Sequence, residues 1–169
     1  MATPQQIPAD EGFTIEQAEQ LLPEHVRFEL HGGRIVVMSP ARRWHNRVQR
    51  RIANLLERQG RSADTGIGLW VGPGETRVLD VAAFRGDPGL DRAYFDAAEI
   101  ELAVEVVSPS SRDDDYVDKP KLYAQLGIGE FWRVDRDTHG VVHVSRHRLD
   151  ENTRSYVLSD DVPLDELEA

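Results

Sequence analysis

The sequence predicts an α/β (α+β) domain in which a mixed β-sheet is flanked by helices. Short apolar runs alternate with helical segments, and no internal repeat or linker divides them. The chain has 169 residues, which suits one compact domain with its own core. We therefore expect a single domain over residues 14–169. A flexible N-terminal arm is expected over residues 1–13, a stretch rich in Pro, Gln and Asp.

The first elements after this arm are predicted to be a short helix and a hairpin. Thr14 is a suitable N-cap for a helix that runs to Leu22, because Pro23 cannot continue it. Extended runs over residues 28–30 and 34–38 flank a Gly-Gly pair, which is typical of a β-hairpin.

The clearest helix is predicted over Arg43 to Gln59. One apolar stripe follows helical spacing and consists of Trp44, Val48, Ile52, Leu55 and Leu56. Between residues 42 and 61 the chain has seven arginines and a single acid, Glu57. We expect an arginine face on this helix to bind nucleic-acid phosphates. Its predicted contact residues are Arg43, Arg47, Arg50 and Arg58. Alternatively, a basic face opposite an apolar stripe simply keeps a surface helix soluble.

The rest of the chain is predicted to be mainly strands. They are expected over residues 66–71, 77–84, 100–107, 131–135, 141–145 and 155–158. Residues 85–98 are predicted to be a loop with local helical potential, and residues 118–126 a helix that ends near Gly127.

Composition excludes several classes of protein. The chain has no cysteine, so disulfide frameworks and thiolate metal sites are excluded. It has no apolar run of the roughly 18 residues that a membrane span needs, so no membrane partner is expected. Without signal-peptide features, the predicted location is the cytoplasm. The net charge of -10 is uneven, with acids concentrated at Asp113–Asp115 and in the tail.

Two carboxylates lie inside otherwise apolar strands. Asp80 is flanked by Leu79 and Val81, and Glu105 lies in a run of Ala and Val. Acids are rarely buried unless they are paired or bind a metal. At about 4 Å their repulsion would be on the order of 4 kcal/mol, at an effective dielectric constant of about 20. A hard cation such as Mg²⁺ or Mn²⁺ would relieve it, although both acids would also be stable facing water.

A longer motif resembles a known family. Residues 101–112 (ELAVEVVSPSSR) are followed by Asp115, Lys119 and Tyr123, and then by GIGEFWRVD over residues 127–135. This pattern is similar to the Uma family of restriction-endonuclease-like proteins in the PD-(D/E)XK nuclease superfamily. The resemblance extends upstream to residues 28–30 and 38–40 and to His45.

The resemblance implies a restriction-endonuclease-like core and assigns roles to the residues. Asp80 and Glu105 would bind the metal, with the Val106 carbonyl as a further ligand. The usual lysine position is Val107 here, so the catalytic lysine would be Lys119 on the following helix. Because Pro120 is able to re-aim that side chain, Lys121 is the alternative.

Two accessory residues complete the predicted site. Glu29 is expected near the metal, and His45 is expected to contact the cleft. We therefore predict a Mg²⁺- or Mn²⁺-dependent endonuclease that hydrolyses phosphodiester bonds in DNA, acting as a homodimer by analogy with the superfamily.

Two rival interpretations stay open at this point. A catalytically degenerate relative would keep the fold and bind nucleic acid or a protein, and the acids at Asp113–Asp115 together with Pro120 favour it. A carboxylate-pair glycosidase would leave the lysine unexplained. The positions of Asp80, Glu105 and a lysine amine relative to one cleft would separate these interpretations.

Overall fold

The computed structural model describes residues 12–169, and its centre is a seven-stranded mixed sheet. The strands are β1 (Phe28–His31), β2 (Arg34–Val37), β3 (Ala63–Gly72), β4 (Glu75–Phe84), β5 (Tyr94–Asp96), β6 (Ile100–Val106), β7 (Glu130–Arg136), β8 (Val142–Asp150) and β9 (Ser155–Pro163). The helices are α1 (Ile15–Leu21), α2 (Arg43–Arg58), α3 (Lys119–Gln125) and α4 (Leu164–Glu168). The sheet order is β5-β3-β4-β6-β7-β8-β9, with parallel pairs only at β3/β5 and β6/β7.

Helix α2 covers one face of the sheet because its apolar stripe has the predicted spacing. Val48, Ile52 and Leu56 are buried against side chains of β4, β6 and β7, and α4 adds Leu164 to the same core. The opposite face of the sheet packs against Tyr123 of α3. The sheet is therefore enclosed by helices on both faces, as the mixed architecture requires.

The hairpin of β1 and β2 is a separate two-stranded sheet beside β4. The Leu30 N–H donates to Thr76 Oγ1 at 3.0 Å, and Arg77 donates to the Leu30 carbonyl at 3.1 Å. Helix α1 packs on the hairpin through Ile15 and Ala18. These contacts hold β1 beside the first residues of β4.

The predicted fold class is confirmed, while some elements differ from expectation. The loop predicted over residues 85–98 contains strand β5 and leads into a 3₁₀ turn at Ala97–Glu99. Both are only three residues long, too short for periodicity to reveal. A π-helical turn at Asp114–Asp118 precedes α3, and α4 lies in the acidic tail; neither was predicted.

Two further expectations concern the ends of the chain and the membrane. Of the predicted arm over residues 1–13, residues 1–11 lie outside the described part, and the Phe13 N–H donates to the Gly33 carbonyl. None of the helices within residues 12–169 is long and apolar enough to cross a membrane.

Candidate active site

The candidate site lies where strands β4 and β6 stop pairing. Their antiparallel register runs from Phe84/Ile100 to Val81/Val104. The next positions in that register are Asp80 and Glu105, and residues opposite each other project from the same face of a sheet. The two strand acids therefore face each other at the point where the ladder ends.

Asp80 takes part in three contacts, with β6 and with helix α2. Its Oδ2 accepts a hydrogen bond from the Val106 N–H at 2.8 Å and lies 3.2 Å from Nε2 of His45. Its Oδ1 accepts from the Gln49 amide at 2.8 Å. His45 and Gln49 are four residues apart on α2, so one helix face presents both groups to the same carboxylate.

Glu105 is fully buried and contacts helix α3. Its Oε2 accepts a hydrogen bond from Lys119 Nζ at 3.1 Å, and its Oε1 accepts from the Tyr123 hydroxyl at 2.6 Å. Pro120 occupies the first turn of α3, where proline is tolerated. It therefore leaves the Lys119 amine directed at Glu105.

Asp115 is a third buried acid, and the π-helical turn carries it into the site. It is 1% exposed, accepts from Lys119 Nζ at 3.2 Å and also accepts a hydrogen bond from Ser111 Oγ. Asp114, by contrast, is half-buried, and its carboxylate lies 3.9 Å from the same amine. The acidic block Asp113–Asp115, expected to repel phosphate, thus includes one residue, Asp115, that is buried and paired with Lys119.

Glu29 reaches the same region from β1. Its Oε1 accepts from the Val78 N–H at 2.9 Å, and its Oε2 lies 2.7 Å from Nε2 of His31. The charge of Glu29 contributes to raising the pKa of Lys119. Glu29 is buried, as an accessory acid at this site would have to be.

Burial and mutual repulsion separate the pKa values of the two strand acids. Burial raises the pKa of Glu105 well above its ordinary value; Lys119 opposes that shift, and the charge of Asp80 adds to it. Burial acts in the same direction on Asp80, but the hydrogen bond and charge of His45 overcome it and the pKa is lowered. Asp80 is therefore the more readily ionised of the pair.

The two basic groups of the site both hold their protons more tightly than usual. Burial lowers the pKa of Lys119, but the surrounding carboxylates outweigh it and leave the pKa well above its ordinary value. Burial also lowers the pKa of His45, whereas Asp80 and the Val106 backbone raise it, and the net shift is upward. Within residues 12–169, the Nδ1 atom of His45 is the one buried side-chain polar atom without a hydrogen-bond partner.

Other predicted residues lie away from this cluster. Lys121 is exposed and points to a separate cavity, so Lys119 is the lysine that the fold brings to the two acids. Four predicted arginines of α2 are exposed and form no ion pair within residues 12–169; these are Arg43, Arg47, Arg50 and Arg58. The neighbouring Arg51 is different, because it is paired with Asp165 and Glu168 of α4.

The donor chemistry of the cluster fits a hard divalent cation. Asp80, Glu105 and Glu29 offer carboxylate oxygens, the ligands that Mg²⁺ and Mn²⁺ prefer. In the described part of the chain, no three Asp, Glu or His side chains are arranged to hold a metal as they stand. Lys119 and Tyr123 occupy the oxygens of Glu105 instead, so a cation would have to compete with these donors.

Comparison with known proteins identifies the family. A family model described as "Putative restriction endonuclease" matches residues 15–168. The chain belongs to this Uma2 family. The expected resemblance is thereby confirmed, and membership supports a nuclease role. No curated protein matches the chain.

A solved structure supports the same fold. The chain is similar to a protein described as a putative nuclease belonging to DUF820 from Anabaena variabilis ATCC 29413, with a TM-score of 0.65 and 15% sequence identity. The match covers 92% of this chain and 97% of that chain. At this identity the likeness shows a shared fold alone.

Sequence reasoning missed three residues of the cluster. Gln49 was counted only as part of a helix, Tyr123 only as part of the family motif, and Asp115 as part of that motif and of an acidic block, none of them with a role in the site. A usable signal did exist, because Asp115, Lys119 and Tyr123 recur every four residues and so share one helical face.

Proposed function

We propose that this protein is a Mg²⁺- or Mn²⁺-dependent endonuclease that hydrolyses phosphodiester bonds in DNA. The observation that carries the proposal is the convergence of Asp80, Glu105 and Lys119 at the end of the β4–β6 ladder. Membership of a family described as restriction endonucleases supports the reaction class.

In this proposal Asp80 and Glu105 hold the metal, with Glu29 and the Val106 carbonyl as further oxygen donors. A bound divalent cation would polarise the phosphate and lower the pKa of a water ligand. Lys119, kept protonated by its surroundings, stabilises negative charge that develops on the phosphate. Gln49 and His45 orient the Asp80 carboxylate toward the cleft.

The exposed arginines of α2 are the proposed contacts to the DNA backbone. They lie on the helix that also presents His45 and Gln49 to the site. At about 100° per residue, these arginines lie on the face of α2 opposite to His45 and Gln49, so their phosphate contacts would lie outside the cleft itself. Such contacts fix the position of the nucleic acid and carry no sequence preference.

A second function is favoured by one specific observation. Both oxygens of Glu105 accept hydrogen bonds from the protein itself, from Lys119 and from Tyr123. A chain in which these bonds persist would keep the fold and bind nucleic acid or a protein partner without catalysis. Metal binding separates the two functions, because only the enzyme requires the carboxylates to exchange these partners.

The test is incubation of the purified protein with supercoiled plasmid and Mg²⁺ or Mn²⁺, with and without EDTA. The Asp80→Asn variant retains an acceptor for the Val106 N–H but loses the charge, and it should abolish nicking. Asp64→Asn is the matched control, because Asp64 is an exposed acid on neighbouring strand β3. A single-stranded RNA substrate in parallel distinguishes DNA from RNA.

Three results would decide between the proposals. Nicking that EDTA and Asp80→Asn both remove, while Asp64→Asn preserves it, supports the metal-dependent enzyme. Nicking that persists in Asp80→Asn would contradict the assigned site. Absence of cleavage, together with absence of calorimetric metal binding, would favour the non-catalytic binding module.

A further inference from the structure

A second cavity lies on the side of α3 that faces away from Glu105. It has a volume of about 270 Å³ and is open to solvent. Its walls come from the π-helical turn, from α3 and from strands β7, β8 and β9. None of the predicted metal ligands lines it, so its chemistry has to be explained separately.

Three cationic side chains converge on this cavity, namely Lys121, Arg133 and Arg154. None of them forms an ion pair with any acid within residues 12–169, although the chain carries a net charge of -10. Arg133 is half-buried, and other half-buried arginines of the protein such as Arg51 and Arg61 do have a carboxylate partner. Unpaired positive charge in a concave site is suited to an anion.

Three aromatic rings also line the cavity, those of Tyr116, Phe131 and Tyr156. Phe131 and Tyr156 are stacked with centroids 5.4 Å apart and an interplanar angle of 25°. Tyr116 stands at the rim, with the Arg133 guanidinium 3.8 Å from its ring centroid. The Tyr116 hydroxyl donates to Asp135 at 3.0 Å, which fixes the orientation of the ring. Phe131 is 1% exposed, so a flat, apolar ligand group would stack on the half-buried Tyr156 and the exposed Tyr116.

The cavity is one strand away from the candidate active site. In the parallel pairing of β6 and β7, Arg133 is the register partner of Glu105. Paired residues project from the same face, and neighbouring strands lie about 4.8 Å apart. Helix α3 separates the two sites only by its own width, because Lys119 faces Glu105 whereas Lys121 faces the cavity.

We propose that this cavity is a nucleotide-binding pocket, in which Lys121, Arg133 and Arg154 hold the phosphate and the aromatic rings stack on the base. A nucleotide is the ligand class that combines a planar apolar group with a phosphate. Base stacking on aromatic side chains, together with a cationic track for the backbone, is also how proteins hold single strands. A phosphate ester without a ring would leave the aromatic walls uncovered.

The nucleotide has two sources, a free mononucleotide or an unpaired nucleotide of a strand. The second source rests on the proposed function, since that strand would continue to the neighbouring active site. The first source is independent of it. Binding measured in EDTA, where metal-dependent cleavage cannot occur, tests the pocket even if the protein proves to be no nuclease.

The test is calorimetric titration of the full chain in EDTA with thymidine monophosphate, with a short oligothymidylate and with inorganic phosphate. The variants are Lys121→Gln and Arg154→Asn. Both positions are exposed, and asparagine tolerates the left-handed backbone of Arg154, where φ is 53°. Arg148→Gln is the matched control, since Arg148 follows the cavity residue His147 on β8 and projects from the opposite face.

We expect each pocket variant to weaken nucleotide binding about tenfold, as loss of a charged hydrogen bond would, and Arg148→Gln to leave it unchanged. Binding of thymidine monophosphate identifies a mononucleotide site; binding of oligothymidylate alone identifies a single-strand site. The proposal is overturned if neither ligand binds, if Arg148→Gln weakens binding equally, or if inorganic phosphate binds as tightly as the nucleotide.

Discussion

Lys119 places its ammonium 3.1 Å from a carboxylate oxygen of Glu105, and neither side chain has more than a small exposed fraction. The same amine lies 3.2 Å from Asp115. A single cation thus contacts two buried acids on different elements, the strand β6 and the π-helical turn. Removal of Lys119 would leave buried carboxylates without a cationic partner and without water. This lowers the free energy of unfolding more than loss of an exposed ion pair does.

Lys119→Met is therefore expected to destabilise the protein by about 3–5 kcal/mol, measured as the free energy of unfolding in urea. Adding Glu105→Gln to Lys119→Met should restore part of that loss, because the uncompensated carboxylate is removed. The chain contains only one other lysine, Lys121, which is exposed. Lys121→Met should change stability by no more than about 0.5 kcal/mol. Equal effects of the two methionine variants would show that Lys119 is not in a buried pair.

The ion pair between His45 and Asp80 predicts how stability changes with pH in metal-free buffer. The pKa of Asp80 is lowered from 3.8, so its contribution is present above that pH and is lost as the pH falls through the folded value. The pKa of His45 is raised from 6.5, so its contribution is complete below pH 6.5 and is lost as the pH rises through the folded value.

His45→Gln should consequently cost more stability near pH 5.5 than near pH 8.5. Urea denaturation of both proteins at these two pH values measures the difference. His143→Gln is the comparison variant, because His143 lies at the surface between Asp137 and Asp161, where solvent screens its ion pairs. A cost of His45→Gln that is the same at both pH values would show that His45 titrates normally in the folded protein.

Much of the fold was predictable because its elements are long and strongly periodic. The apolar stripe of α2 follows helical spacing. Strand β6 is recognisable as a nearly continuous run of apolar, buried residues. Strand β5 was missed because three residues have no period, and its pairing with β3 is a tertiary contact. Helix α4 was missed because its sequence, LDELE, is mostly acidic and only Leu164 is buried.

The Gln49 amide donates to the Asp80 carboxylate at 2.8 Å, so in the proposed site Gln49 would be a positioning residue that acts through Asp80. Gln49→Leu should lower the calorimetric affinity for Mn²⁺ about tenfold or more, as loss of an outer partner of a metal ligand usually does. The substitution should lower the free energy of unfolding by about 1.5 kcal/mol. Asn54→Leu makes a similar change at an exposed position of the same helix, and it should leave metal affinity unchanged. A normal Mn²⁺ affinity in Gln49→Leu would remove Gln49 from the site.

The exposed arginines of α2 predict the salt dependence of DNA binding. Each phosphate contact lowers the slope of log K against log salt by about 0.9 for a duplex. Arg47→Ala combined with Arg50→Ala should make the slope less steep by about 1.8, measured by fluorescence anisotropy in EDTA between low and moderate salt. Arg34→Ala, at an exposed position of β2, should leave it unchanged. A slope that depends on Arg34 as much as on the α2 pair would place the DNA elsewhere.

The candidate site was only partly predictable, and the reason is geometric. Asp80 and Glu105 were identifiable because a carboxylate is unexpected among Val, Leu and Ala. The choice between Lys119 and Lys121 depended on the direction of one side chain at the start of a helix. Asp115 lies on a π-helical turn of five residues, which is too short for a periodicity of its own, so only its spacing from Lys119 and Tyr123 indicates its place.

The separation of β4 from β6 has an evolutionary consequence. Asp80 accepts from the Val106 N–H and Glu29 from the Val78 N–H, so both acids also satisfy backbone groups that strand pairing leaves free. A descendant that lost its enzymatic role would still be selected for acceptors at both positions, because folding depends on them. The exposed arginines of α2 have no such structural role within residues 12–169. After a change of function, these positions would therefore be the first to vary in sequence.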